Sequence, residues 1–233
     1  MPCYSNDEYV SLMRPIPRYW KRDLFGIPTI KKSDIDITKL NNGLWLTAIN
    51  NTSLEDKNKR YKIVHSFKFD FELKRYYERP YSYLKRVSSY YAVCTFDFSM
   101  HQGMEPAQII NATFMNRWSG VWLQMNGFKR VAVTVGWVDS DTFDICFAGI
   151  EDGTLLVISS LGVCKNKKSQ SIFIKGYKEM RRRFPKSQVI CVGNRVKGMD
   201  DDVCFVSFQE SFGNHDKYYE YWQPKLFNWN YKE

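Results

Sequence analysis

The succession of apolar and amphipathic segments predicts an α/β protein with a mostly parallel sheet of about six or seven strands joined by crossover helices. Segments 90–96 and 130–136 are rich in β-branched and aromatic residues and alternate too little for half-exposed strands, which is typical of strands buried on both faces. Between them, apolar residues of segment 104–128 recur at spacings of three and four, the stripe of a helix packed on a sheet. Gly127 offers that helix a C-terminal stop.

The pattern leaves two arrangements of the sheet open. Open sheets that bind dinucleotides carry GxGxxG and P-loops carry GxxxxGK[ST], and neither motif occurs in the chain. Polar or aromatic residues follow nearly every predicted strand, which suits a TIM-barrel-like arrangement with a site at the carboxyl ends of its strands. We therefore predict a barrel-like sheet, with an open doubly wound sheet as the alternative.

Length and proline spacing predict a single α/β domain over residues 1–233 with two appendages. Prolines at 15, 17 and 28 favour an extended arm over about residues 1–40. Residues 214–233 form a polar, aromatic tail.

The segments between these appendages alternate between strands and helices. Residues 63–69 alternate more than the other strands, so this strand is expected at a sheet edge or covered on one side only. Pro80 is expected to break the helical segment 70–89. Further strands are predicted at residues 44–49, 154–160, 188–193 and 203–208, and further helices at 140–150 and 170–184.

Composition favours a soluble, cytoplasmic protein with a polyanionic partner. The chain has a formal net charge of +9, a pI near 9.2 and 16% aromatic residues. A basic surface attracts nucleotides or nucleic acid, and surplus aromatic rings suit base stacking. No run approaches the roughly 18 apolar residues that span a bilayer, and the N-terminal MPCYSNDEYV lacks a signal-peptide core, so no membrane partner is expected. The six cysteines lack CxxC or Cys/His spacing, which indicates reduced thiols.

Polar and aromatic residues at the ends of the predicted strands define a candidate site, because ligands of parallel α/β folds bind at the carboxyl ends of the strands. The candidate catalytic residues are Asp97, Ser99 and Asp139. Basic residues near these ends, with Trp137 as a stacking platform, suit a nucleotide or a nucleic-acid strand. The candidate ligand-binding residues are Arg117, Trp137, Ser160, Lys165, Asn194 and Arg195. Arg117 has a structural alternative, pairing with an acid such as Asp139 or Glu105.

A divalent cation is a further expectation at this end of the sheet. Asp70, Asp97 and Asp139 each end a strand, and carboxylates clustered by the fold could hold such an ion. The alternative is helix capping, since each directly precedes a helical segment. The three histidines lie near no serine motif in sequence, so no nucleophile–base pair is indicated.

Several blocks of the chain resemble a known family. The blocks are PRYWKRDLFGIPTI, YYAVCTFDFSM, NATFMNRWSGVWLQMNG, VTVGW, DSDTFDICFAGI and VISSLGVCKNK. Together they resemble the domain of unknown function 4417, found in phages, prophages and other mobile elements, over roughly residues 14–195. The family usually has a proline before Asp97 and an aromatic residue near His101, where this chain has Phe96 and His101, so the resemblance implies no catalytic role for His101.

The resemblance implies a phage or mobile-element origin and no particular activity. It also adds Asn111 and Cys164 to the candidate ligand-binding residues. The matching positions are Asp97, Ser99, Asn111, Arg117, Gln124, Trp137 and Cys164.

Three functions remain open from the sequence. Binding of a nucleotide or nucleic acid at the carboxyl end of the sheet uses the fewest assumptions, given the basic charge and Trp137. The alternatives are a phage protein that binds and modulates a host protein, such as a defence component or a repressor, and a metal-dependent hydrolase of a phosphorylated or nucleotide substrate.

Overall fold

Seven parallel strands follow one another in chain order around the sheet. The computed structural model describes residues 6–163 and 166–212. Every neighbouring pair of strands runs parallel, so all seven carboxyl ends meet at one end of the sheet. The strands are β1 (Trp45–Ala48), β2 (Lys62–His65), β3 (Ala92–Cys94), β4 (Val131–Thr134), β5 (Leu156–Ser159), β6 (Val189–Val192) and β7 (Cys204–Val206).

The sheet curls into a nearly closed barrel, which confirms the predicted TIM-barrel-like arrangement. Sequential right-handed crossovers place every connecting helix on the same face of the sheet, so the other face is buried only when the sheet closes on itself. One apolar cluster indeed takes side chains from all seven strands. Its strand members are Leu46, Ile63, Ala92, Cys94, Ala132, Val157, Ile190, Val192, Cys204 and Val206.

Side-chain and helix contacts, rather than ladder hydrogen bonds, connect the last strand to the first. Among the described residues, β7 pairs with β6 alone. Asn41 Nδ2, just before β1, donates to the carbonyl of Phe205 in β7 at 3.2 Å. Ser211 lies in the short helix that follows β7, and its carbonyl oxygen is 2.8 Å from Nε2 of His65 in β2. These contacts hold the short helix after β7 across the gap.

The helices pack around the outside of this barrel, and the longest of them matches the predicted stripe. The helix begins at Pro106, and a capping box between Glu105, just before it, and Gln108, in its first turn, stabilises this end. Gly127, with φ of 84°, follows its C-terminal end. The helices are α1 (Asn6–Met13), α2 (Asp70–Glu78), α3 (Pro80–Val87), α4 (Pro106–Met125), α5 (Phe143–Cys146), α6 (Lys167–Arg183) and α7 (Phe208–Phe212). Among the described residues, no helix has the length and apolarity needed to cross a bilayer.

Three local expectations can be compared with the fold. Pro80 breaks the segment as predicted, since α2 ends before it and α3 begins with it. The edge position predicted for residues 63–69 is wrong, because β2 pairs with both β1 and β3 and is buried along its length. The arm is not extended throughout either: residues 6–13 form α1, which ends before the first proline. The aromatic tail, residues 214–233, lies outside the described residues.

Candidate functional site

A pocket of about 800 Å³ opens at the carboxyl end of the barrel, and we call it the mouth pocket. Loops after β2, β3, β4, β5 and β7, together with the first turns of α6, form its walls. This is the position at which barrel enzymes bind their substrates. The lining residues are Phe67, Lys68, Phe69, Asp97, Met100, His101, Gln102, Val135, Gly136, Trp137, Val138, Ser159, Leu161, Val163, Ser169, Ile172, Phe173, Phe208 and Phe212.

Asp97 lies in this pocket, three residues beyond β3, on a loop fixed to α4 from both sides. Ser119 Oγ accepts a hydrogen bond from the main-chain N–H of Phe96 at 2.9 Å. Asn116 Oδ1 accepts a hydrogen bond from the main-chain N–H of Phe98 at 2.7 Å, and Asn116 Nδ2 donates one to the carbonyl oxygen of Phe98 at 3.2 Å. The main chain on either side of Asp97 is therefore held in place before any ligand arrives.

The carboxyl of Asp97 is an unpaired polar group in an apolar environment. The residue keeps part of its surface open to the pocket, yet protein atoms surround the carboxyl closely. Burial, with a smaller contribution from the charge of Asp70, raises the pKa of Asp97 to about 7, while Arg117 opposes the rise. Within residues 6–163 and 166–212 no group donates a hydrogen bond to this carboxyl.

The other carboxylates predicted for the site have partners of their own. Asp70 Oδ1 accepts hydrogen bonds from the main-chain N–H and the hydroxyl of Ser99, at 3.0 and 2.9 Å. Asp139 Oδ1 accepts one from Gln102 Nε2 at 2.9 Å. In the described part of the chain no group of three or more His, Cys, Asp or Glu side chains could hold a metal ion. A cation held by Asp70, Asp97 and Asp139 stays a prediction.

Trp137 forms a wall of the mouth pocket and also packs into the helix layer. Its ring centroid lies 5.2 Å from that of Phe173 in α6 and 6.0 Å from that of Phe147. Gly176 of α6 makes this possible, because a Cβ there would stand 2.1 Å from Trp137 Cδ1. One face of the indole is thus fixed by packing, and the half-buried ring remains in contact with the pocket.

Arg117 lies beneath the pocket and not in its lining. Its side chain is 2% exposed. Nε donates to the carbonyl of Ala148 at 2.9 Å, Nη1 to that of Thr134 at 3.0 Å and Nη2 to that of Cys146 at 2.9 Å. Burial lowers the pKa of Arg117 to about 10, which still leaves the guanidinium charged at neutral pH. This arrangement favours the structural role, with main-chain carbonyls in place of an acid partner.

Four further predicted ligand contacts, all of them described residues, lie outside the pocket lining. Ser160 and Asn194 follow β5 and β6 at the same end of the barrel, and the hydroxyl of Ser160 donates to the carbonyl of Asn194 at 2.6 Å. Arg195 pairs with Asp201 on the surface, and Asn111 is exposed on α4. Cys164 and Lys165 lie outside the described residues.

The sequence analysis missed several residues that line the pocket. Phe67, Lys68 and Phe69 follow β2, and Phe208 and Phe212 follow β7. The rule that ligands bind at carboxyl ends of strands could have found them, had it been applied to these two strands as it was to β3 and β4.

Fold and pocket together define a parallel α/β-barrel protein with a cavity at the carboxyl end of its strands. The chain belongs to the family described as Domain of unknown function (DUF4417), whose family model matches residues 19–209. This confirms the predicted resemblance.

Two phage proteins are similar to this chain over 138 residues, 59% of its length. The Gene 1 protein of Mycobacterium phage D29 is 33% identical, and the match spans 50% of that protein. The Gene 1 protein of Mycobacterium phage L5 is 32% identical, with 59% of its length matched. No solved structure matches the chain. The protein is thus a member of a phage-associated family of uncharacterised function, and the match spans about half the length of these relatives.

Proposed function

We propose that the protein binds a nucleotide in the mouth pocket, with the base directed inward to Asp97. The observation that carries this proposal is the Asp97 carboxyl, which receives no hydrogen bond from the described part of the chain. The residue is half-buried, so its oxygens are left to water or a ligand, and the protein atoms packed around the carboxyl weaken its hydration at a cost in free energy. A ligand that donates N–H groups removes this cost, and the Watson–Crick edges of nucleobases offer such donors.

The other walls of the pocket support an orientation with the phosphate outward. Around Asp97 the lining is apolar or aromatic, including Val135, Trp137 and Phe173, which suits a flat ring. At the rim stands Lys68. The first turn of α6 contributes Ser169 and begins with two exposed lysines. Cations and a helix N-terminus favour a phosphate at this outer end.

Calorimetric titration of the full chain with the common nucleoside monophosphates tests the proposal. At about pH 8, where Asp97 is largely ionised, wild type should bind at least one of them. Asp97→Asn should weaken that binding about tenfold or more, because charge-assisted hydrogen bonds to the base are lost. Asp34→Asn is the matched control, since Asp34 is an exposed carboxylate beside Ser33, whose hydroxyl accepts the N–H of Val131 at the amino end of β4, the opposite end of the barrel. The absence of binding at millimolar nucleotide, or equal affinity of Asp97→Asn and wild type, would contradict the proposal.

The pKa of Asp97 favours a second candidate function, general acid–base catalysis on the bound nucleotide. Because burial raises this pKa to about 7, protonated and ionised forms coexist at neutral pH, which suits proton transfer. Chromatography of nucleotides incubated with wild type and Asp97→Asn, with and without a divalent cation, separates this function from binding alone. Product that forms with wild type and is lost in the variant supports hydrolysis, and an intact nucleotide in every sample eliminates it.

A further inference from the structure

Two pairs of phenylalanines flank the mouth pocket. The rings of Phe69 and Phe71 lie nearly parallel, at 10°, with centroids 5.7 Å apart, and the residues are 71% and 75% exposed. The second pair follows β7, where Phe208 stacks on Phe212 with centroids 4.4 Å apart and is itself 52% exposed. The ring centroid of Phe212 lies 5.1 Å from Nζ of Lys68, the residue next to Phe69. Large apolar side chains grouped in this way at a surface indicate an interaction site.

The first pair extends beyond the pocket. Phe69 lines the mouth pocket, whereas Phe71 lines a neighbouring groove of about 1160 Å³ formed with α1, α2 and α3. A mononucleotide held at Asp97 would therefore leave Phe71 uncovered. A ligand that covers both rings must continue past the rim of the pocket.

We infer that the natural ligand is single-stranded nucleic acid, with one base in the mouth pocket and the next base stacked on Phe69 and Phe71. This inference rests on the proposed nucleotide-binding function. A single strand fits because its bases have free faces and edges, whereas those of a duplex are already stacked and paired. Exposed aromatic rings are the usual stacking platforms for such strands, with little dependence on base identity.

Charge beside the mouth pocket favours a polyanion, whereas the groove beyond Phe71 carries charges of both signs, from Asp7, Glu8, Asp70, Glu78, Arg14, Lys74 and Arg79. Lys68 lines the pocket, and Lys167 and Lys168 are exposed in the first turn of α6 beside the pocket residue Ser169. None of these three lysines forms a salt bridge within residues 6–163 and 166–212. The whole chain carries a net charge of +9. Each lysine that neutralises a phosphate releases a counterion, so binding should weaken steeply with salt.

Fluorescence anisotropy with labelled oligonucleotides of about ten nucleotides tests the inference, since sites of this kind cover roughly 4–16 nucleotides. Single-stranded DNA or RNA should bind at least about tenfold more tightly than a mononucleotide or the matching duplex, because one more base stacks. Phe71→Ala should weaken binding of the oligonucleotide by about 5- to 100-fold and leave the mononucleotide affinity unchanged. Phe71→Trp should retain the wild-type affinity. Tyr19→Ala is the control, because Tyr19 is 82% exposed in the N-terminal arm and lines neither cavity.

The outcomes separate this inference from the proposed function. Loss of mononucleotide binding in Asp97→Asn, together with unchanged oligonucleotide binding in Phe71→Ala, overturns the inference and leaves nucleotide binding standing. A second outcome is that Phe71→Ala weakens oligonucleotide binding while Asp97→Asn changes the affinity for neither ligand. The strand would then lie on the phenylalanines without a base in the pocket, which overturns both the inference and the proposed function. Equal affinity for duplex, or absence of nucleic-acid binding at low salt, also overturns the inference.

Discussion

Gly136 lies beside the carboxyl of Asp97 in the lining of the mouth pocket. A methyl group at position 136 would stand 3.9 Å from Asp97 Oδ1 and 3.4 Å from Met100 Cε, which are ordinary van der Waals contacts. The glycine is not among those with a positive φ, so its main chain accepts a side chain without strain. The space in front of Asp97 is therefore open because residue 136 has no side chain.

Gly136→Ala should fill this space without harming the fold. We expect a free energy of unfolding equal to that of wild type or higher by up to about 1 kcal/mol, since alanine reduces the freedom of the unfolded chain. Affinity for the nucleotide found by titration should fall about tenfold or more, because the methyl group occupies the approach to Asp97. Urea denaturation and calorimetry measure the two effects. A stable variant with undiminished affinity would show that the ligand does not reach Asp97.

Asp97→Asn should stabilise the unliganded protein at neutral and higher pH. The pKa of Asp97 is raised to about 7 by burial, whereas that of an unfolded aspartate lies near 4. Between these values the folded chain binds more protons, so the carboxyl lowers stability increasingly as pH rises from about 4 to 7. A rise of this size corresponds to about 4 kcal/mol at pH 8, and the open side of the residue reduces it. The free energy of unfolding of the variant should therefore exceed that of wild type by about 2 kcal/mol at pH 8 and by much less near pH 4.

Denaturant titrations of both proteins across this pH range measure that difference, and Asp34→Asn provides a control with an exposed carboxylate. Subtracting the free energy of unfolding of wild type from that of each variant at the same pH removes the contribution of all other titrating groups. A difference that does not change with pH would mean that Asp97 titrates normally in the folded chain.

Arg117→Lys should destabilise the protein strongly. The guanidinium donates to three buried carbonyls, of Thr134, Cys146 and Ala148, in directions that a single ammonium cannot reproduce. Unsatisfied buried carbonyls and a poorly placed charge should lower the free energy of unfolding by about 3 kcal/mol or more. Arg182→Lys is the control, because Arg182 pairs only with Glu179 on the exposed face of α6 and should change stability by less than about 1 kcal/mol. Similar urea midpoints for the two variants would contradict this role of Arg117.

His65 should make the protein sensitive to acid. Burial lowers the pKa of His65 to about 4, against the opposing hydrogen bond to the Ser211 carbonyl. The unfolded chain then binds more protons between about pH 4 and 6.5, so stability falls as pH decreases through this window. His65→Gln keeps an amide donor for Ser211 but does not titrate.

The free energy of unfolding of wild type minus that of His65→Gln should decrease by about 2 to 3 kcal/mol between pH 7 and pH 4.5. Denaturant titrations at both values measure this change. A constant difference between the two proteins would show that His65 does not titrate with a depressed pKa.

Local pattern was sufficient to predict much of the fold from the sequence. The stripe of residues 104–128, the apolar strands and the break at Pro80 depend on neighbours within a few positions, and each was recognised. The order of these elements predicted a parallel sheet but left an open and a closed form possible, and the barrel was favoured by the polar and aromatic residues that follow nearly every strand. The place of the site at the carboxyl ends followed from the same topology.

Long-range packing determines which side chains at the carboxyl ends of the strands are left without a partner in the protein and can bind a ligand. Asp70 and Asp97 look equivalent in sequence, yet Ser99, 29 positions away, hydrogen-bonds Asp70 and leaves Asp97 alone. The guanidinium of Arg117 donates its hydrogen bonds to carbonyls of residues 17 to 31 positions away in the sequence. Phe69, beyond β2, comes to the same pocket as Asp97 through the pairing of β2 with β3. Such contacts are absent from local pattern because they arise only when the barrel closes and brings loops from separate strands to one mouth.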